Sequence, residues 1–138
     1  MSKTYNLFIS HSWAYSNAYD GLLGLLNKDY AFNYKDYSVP KNDPVHTNGT
    51  DKQLYAAIKE QISHASVVLI LAGVYANYSK WIKKEIIIAQ TEFITPKPII
   101  AVEYWGSERT STIVKDAADL IVKWQSNSII TAIKRLVQ

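Results

Sequence analysis

The pattern of hydrophobic and polar positions along the chain predicts five strands separated by helices. Two continuous apolar runs, "SVVLILAG" (66–73) and "PIIAVEYWG" (98–106), are typical of strands buried on both faces. Three weaker segments complete the predicted strands: "TYNLFIS" (4–10), "FNYKDYSV" (32–39) and "ADLIVKW" (118–124). Polar residues interrupt the segment at 32–39, which therefore predicts an edge strand.

Helical periodicity fills the intervals between these strands. Leu54, Ile58 and Ile62 form an i, i+4, i+8 stripe, and Thr50 or Asp51 is the expected N-cap of that helix. Helices are also predicted in four other segments: 16–28, 79–93, a short one within 107–117, and 126–137.

Alternating strands and helices predict an α/β fold with a parallel sheet and helices on both faces. We expect the flavodoxin-like strand order 2-1-3-4-5 in a single domain spanning residues 1–138. In such folds ligands bind at the carboxyl ends of the strands, and this edge of the sheet is called the carboxyl rim below.

The amino-acid composition of the chain argues against several classes of function. The 138 residues include no cysteine, so disulfides, thiol nucleophiles and thiolate metal sites are excluded. The net charge of +3 is dispersed along the chain, which argues against a nucleic-acid partner. The N-terminal segment lacks the apolar core of a signal peptide, and no apolar run approaches the length of a membrane span. We therefore expect a cytoplasmic protein with no membrane partner.

The sequence lacks the motifs of several common catalytic and ligand-binding sites. No phosphate-binding glycine loop is present, and Gly21 and Gly24 fall inside the first predicted helix, where we expect them to allow close packing on the sheet. The histidines lack metal-ligand spacing, so no metal site is predicted, and adjacent Ser10 and His11 rarely have triad geometry.

Two short segments place polar chemistry at the carboxyl rim. Ser10, His11 and Ser12 follow the first strand directly, while Trp81 and Glu85 share one face in the first turns of the helix after the third strand. An alternative interpretation makes Glu85 an exposed residue favoured by the helix dipole, with Trp81 as a packing anchor.

These segments resemble a TIR domain in order and in detail. Ser79, Trp81 and Glu85 fit the serine-x-tryptophan…glutamate pattern, with Ile82 where many members carry cysteine. The resemblance rests on two segments, "YNLFIS" (5–10) and the stretch 58–86. Two further segments, "SHSWAYSNAYDGL" (10–22) and "NYKDYSVPKNDP" (33–44), resemble the bacterial TIR-like branch of the ThsB type from Thoeris anti-phage defence.

The resemblance implies an enzyme that cleaves NAD⁺ at the nicotinamide–ribose bond, with Glu85 as catalyst. NAD⁺ is then the substrate, and no cofactor is implied. Because nicotinamide leaves as a neutral base, one ionised carboxylate suffices, and we expect a near-normal pKa for Glu85. Family members make a cyclic or modified ADP-ribose signal that activates a separate effector, ThsA, after self-association or a phage-derived trigger.

Further site residues follow from the same resemblance. Phe8, Ser10 and His11 would line the side of the site opposite Glu85, and Ser12 offers another hydroxyl at the rim. Trp81 either forms one wall of the binding site or packs its own helix against the rest of the domain. Asn42 is a candidate for substrate binding within the loop 38–50, which in TIR domains governs assembly and access. Tyr104, with its neighbour Trp105, is either a rim residue or part of an interface.

Two other functions compete with the enzyme. A non-enzymatic TIR adaptor would bind other TIR domains through surface aromatics and the loop 38–50, but it gives Glu85 no task. A TIR-like nuclease would need a metal-binding carboxylate cluster that the sequence lacks.

Overall fold

Strands and helices alternate along the chain as the sequence pattern predicts. The computed structural model describes residues 3–10, 16–38, 50–72, 80–103 and 112–137. The strands are β1 (Thr4–Ser10), β2 (Asn33–Asp36), β3 (Val67–Ala72), β4 (Ile99–Glu103) and β5 (Leu120–Lys123). The helices are α1 (Ser16–Asn27), α2 (Asp51–His64), α3 (Lys80–Thr91), α4 (Thr112–Ala117) and α5 (Ser126–Leu136).

The five strands form a parallel sheet in the order β2-β1-β3-β4-β5, which confirms the predicted topology. The apolar run of β3 lies at the centre, where Val67 to Leu71 are at most 6% exposed. β2 and β5, each four residues long, form the two outer edges, so the prediction of an edge strand at β2 is confirmed. Lys35 of β2 and Lys123 of β5 place charges on these edges.

Helices cover both faces of the sheet, as predicted, and two apolar cores result. Along each inner strand successive side chains point to opposite faces, so one strand contributes to both cores. The α2/α3 core contains Phe8, Leu54, Ile58, Ile62, Ala65, Val68, Ile70, Ile82, Ile86, Ile88, Ala89, Ile99, Ala101 and Val114. The α1/α5 core contains Leu7, Ile9, Leu22, Leu26, Phe32, Val67, Leu69, Leu71, Ile100, Val102, Ile129, Ile130, Ala132 and Ile133.

The start of α2 is fixed by a capping box, a reciprocal pair of side-chain hydrogen bonds. Thr50 is the N-cap, and its hydroxyl oxygen accepts from the Gln53 backbone N–H at 3.1 Å. The Gln53 side chain in turn accepts from the Thr50 N–H at 2.8 Å. Two backbone donors that the helix cannot satisfy internally are thereby paired. Of the two predicted caps, Thr50 is the right one.

We expect Thr50→Ala to lower the free energy of unfolding by about 1 kcal/mol, because the Gln53 N–H loses its partner. Thr50→Ser is the matched control, since it keeps the hydroxyl and should remain close to wild type. Urea denaturation of both variants measures the difference. Equal destabilisation by Ala and Ser would show that the methyl group of Thr50, not the cap, stabilises the helix.

The predicted role of the α1 glycines is only partly right. A Cβ at Gly21 would lie 3.0 Å from the Trp124 ring, so this glycine does allow a close contact, but with the residue that follows β5. A Cβ at Gly24 would meet nothing within 4 Å, so the expectation of close packing there is wrong. Among the described residues, no helix combines the length and apolar character that a bilayer crossing demands.

Candidate functional site at the end of β1

The end of β1 carries a buried polar side chain at the carboxyl rim. Phe8 and Ser10 point to the α2/α3 face, because alternate residues of a strand share one face. Ser10 is 1% exposed and is aligned with Ile70 of β3. Phe8 is 2% exposed and belongs to the α2/α3 core, below the rim. A hydroxyl therefore lies where the apolar core meets the end of the sheet.

α3 brings a carboxyl group to the same place. Ile82, Ile86 and Ala89 lie on the buried side of this helix, and Glu85 falls within their i, i+3, i+4, i+7 stripe. Only 7% of Glu85 is exposed. The alternative interpretation of Glu85 as an exposed residue near the helix start is therefore wrong.

Burial shifts the acidity of this carboxyl group. Removal from water disfavours the charged form and raises the pKa of Glu85 to about 8. The Ser10 hydroxyl acts in the opposite direction and lowers this pKa, although its geometry falls short of a formed hydrogen bond. The expectation of a near-normal pKa is wrong, because it did not take the apolar surroundings into account.

Two buried oxygens lack hydrogen-bond partners in the described part of the chain: Ser10 Oγ and Glu85 Oε2. Leaving such groups unpaired is unfavourable by about 1–3 kcal/mol each. Together they offer a hydroxyl, which can donate and accept, and a carboxyl group, which accepts when ionised and also donates when protonated. This pair can hold the hydroxyl groups of a polar ligand and can stabilise positive charge.

The remaining predicted site residues are not placed by the structure. His11, Ser12, Asn42 and Tyr104 lie outside the described residues, as does Trp105. Trp81 lies in α3, one turn before Glu85, but its side chain is not among those described. Their roles stay predictions, as does contact between Phe8 and a ligand. Within the described ranges, no group of three or more His, Asp or Glu side chains could hold a metal ion.

A second polar cluster, near the β2 end of the rim, was not predicted. Tyr19 of α1 donates a hydrogen bond to Asp36 Oδ2, and the Ser38 hydroxyl lies 2.6 Å from Asp36 Oδ1. The Asp-x-Ser spacing is a recognisable signal of a local turn. The sequence has no comparable signal for the approach of Tyr19, which depends on how α1 packs.

Comparison with known proteins agrees with this architecture. The family model "Thoeris protein ThsB, TIR-like domain" matches residues 8–109, about three quarters of the chain, and the match includes Ser10 and Glu85. A search of curated proteins found no match. The five-stranded parallel sheet in the order 2-1-3-4-5 is the TIR-like α/β fold. The chain therefore belongs to the family of TIR-like domains of the Thoeris protein ThsB, whose systems signal in anti-phage defence.

Proposed function

We propose that this chain cleaves NAD⁺ at the nicotinamide–ribose bond, with Glu85 as the catalytic residue. The observation that carries the proposal is the 7% exposure of Glu85 in an apolar stripe, with Oε2 unpaired among the described residues. Buried carboxyl groups with shifted pKa values are common at catalytic sites. Membership of the TIR-like family supports NAD⁺ as the substrate of this proposal.

The leaving group explains how one carboxylate can suffice. Ordinary glycosidases need a second carboxyl group to protonate the departing oxygen. Nicotinamide in NAD⁺ is already cationic, so the bonding electron pair moves onto the ring nitrogen and the base leaves neutral. Positive charge then develops on the ribose, and ionised Glu85 stabilises it in surroundings that exclude water. Water or a hydroxyl group of the substrate completes the reaction by attacking the ribose.

Because the pKa of Glu85 is raised, substrate binding is also needed to ionise this carboxyl group. With a pKa of about 8, Glu85 holds its proton in most molecules at neutral pH. The positive charge of the nicotinamide ring favours the ionised carboxylate when the two lie close together. Glu85 therefore loses its proton as NAD⁺ binds, and the charged form arises where it is needed.

The product completes the proposed role in defence. An attack by a substrate hydroxyl gives a cyclic ADP-ribose, and other acceptors give modified or hydrolysed forms. As in the family it belongs to, the chain would release this nucleotide as a diffusible signal for the effector ThsA. Self-association or a phage-derived trigger would start the reaction.

The test is metabolite analysis of cells that express this chain without the effector, so that changes in NAD⁺ report on this chain. We expect phage infection to lower NAD⁺ and to raise nicotinamide together with a new ADP-ribose derivative, followed by mass spectrometry. Uninfected cells and cells without the chain are the controls. Unchanged NAD⁺ after infection, with partner binding lost when residues 38–50 are altered, would favour the adaptor instead.

A further inference from the structure

The edge of β1 that faces β2 extends beyond the paired part of β2. The β1–β2 register ends at Leu7 and Asp36, whereas the β1–β3 register continues to Ser10. The Tyr37 N–H still donates to the Leu7 carbonyl at 2.8 Å. The next residue of β1 with backbone groups on this side is Ile9, since N–H and C=O directions alternate along a strand.

Ser38 provides the contact with Ile9 that β2 does not reach. Its hydroxyl oxygen accepts from the Ile9 N–H at 3.0 Å and also lies 3.0 Å from the Ile9 carbonyl oxygen. The Ser38 side chain thus binds the backbone of β1 beyond the last residue of β2. The residue held in this way directly precedes Ser10.

Asp36 orients the Ser38 hydroxyl. A hydroxyl has one proton to donate, and both the Ile9 carbonyl and Asp36 Oδ1 are within reach. Asp36 Oδ1 is the stronger of the two acceptors, because it lies closer to the Ser38 oxygen, at 2.6 Å, and belongs to a carboxylate. The Ser38 N–H also donates to Asp36 Oδ1, at 2.9 Å, and Tyr19 of α1 donates to Oδ2. With its proton directed to Asp36, the Ser38 oxygen is free to accept from Ile9.

We propose that Ser38, oriented by Asp36, is a positioning residue that fixes the backbone of Ile9, the residue before Ser10, and so holds the Ser10 hydroxyl against Glu85. This inference deepens the proposed function and rests on it. Ser10 Oγ has no hydrogen-bond partner in the described part of the chain. The location of the Ser10 hydroxyl is therefore set by the backbone of β1. Ser38 and Asp36 hold that backbone from the side of the strand that faces β2.

The test compares Ser38→Ala, which removes the hydroxyl, with Ser38→Thr, which keeps it. Ser10→Ala is the reference for losing the hydroxyl at Glu85. Tyr34→Phe is the matched control. It also removes one hydroxyl near this edge of the sheet, but that hydroxyl donates to Asn27 and not to the backbone of β1. Each variant of the 138-residue chain is measured for Ile9 amide exchange and for titration of the Glu85 carboxyl, both by NMR. Nicotinamide release is measured in triggered samples, to which lysate of phage-infected cells has been added.

For Ser38→Ala we expect Ile9 amide exchange to accelerate about fivefold, since one hydrogen bond is lost. We also expect the pKa of Glu85 to rise, as in Ser10→Ala, and kcat to fall roughly tenfold, because Ser38 acts through the position of the Ser10 hydroxyl beside Glu85. Ser38→Thr and Tyr34→Phe should behave like wild type. Faster Ile9 exchange without a change in the Glu85 titration would overturn the positioning role.

Failure of the proposed function gives a different result. If even wild type releases no nicotinamide in cells or in triggered samples, NAD⁺ cleavage is wrong, but the Ile9 exchange and the Glu85 titration still decide whether Ser38 positions Ser10. Movement of both supports the inference, and an unmoved Glu85 titration contradicts it.

Discussion

Glu85→Gln is expected to reduce nicotinamide release from NAD⁺ by at least about a hundredfold, the effect typical of removing one group that stabilises transition-state charge. Glutamine keeps the size and one acceptor oxygen of the side chain but cannot become negative. The loss should therefore appear in kcat, because the charge on the ribose develops only as the bond breaks. Single-turnover assays of triggered samples measure it.

Glu92→Gln is the matched control for this variant. Glu92 lies just beyond the end of α3 and is solvent-exposed, where it accepts from Tyr55 at 2.7 Å and pairs with Lys59 at 3.0 Å. The same substitution there should leave turnover unchanged, because this surface cluster lies apart from the buried pair of Ser10 and Glu85. Full turnover in Glu85→Gln would remove Glu85 from the mechanism.

Raising the pH should destabilise the wild-type fold relative to Glu85→Gln. The folded-state pKa of about 8 exceeds the ordinary value of 4.5, so the folded chain holds the Glu85 proton more tightly than the unfolded chain does. The burial penalty is absent below pH 4.5, grows as pH rises and is complete above pH 8. Across this window the wild type should lose on the order of 5 kcal/mol relative to the variant.

Urea denaturation at a series of pH values measures this difference. Other titrating groups affect both proteins alike, so subtracting the variant's free energy of unfolding isolates the Glu85 contribution. Glu92, whose pKa is lowered by Tyr55 and Lys59, has the opposite sign and cancels in the subtraction. Parallel stability curves would mean that Glu85 is not desolvated in the folded chain.

Local patterns were sufficient to predict the fold. The apolar run of β3, the stripe of α2 and the cap at Thr50 are all visible within short windows of sequence, and right-handed crossovers then leave few topologies. The burial of Glu85 also had a local signal, its place between Ile82, Ile86 and Ala89 in a helical stripe. Charge at that position suggested exposure, and tertiary packing determined otherwise.

The long-range contacts of Tyr19 with Asp36 and of Ser38 with Ile9 had no such signal. Tyr19 and Asp36 are 17 residues apart, and Ile9 and Ser38 are 29 apart. Their contacts depend on the register of β1 with β2 and on the docking of α1, neither of which hydrophobic periodicity specifies. The sequence predicted that Ser10 and Glu85 reach the rim, but not how the β2 end of that rim is held together.

The short outer strands have a consequence for behaviour at high concentration. β2 and β5 have four residues each, and each carries a lysine. Exposed strands can recruit further chains by backbone pairing, and brevity and charge are the means by which natural proteins suppress this. Growth of a continuous intermolecular sheet from either side of this molecule is therefore unfavourable, and copies that associate would meet through their helices and loops.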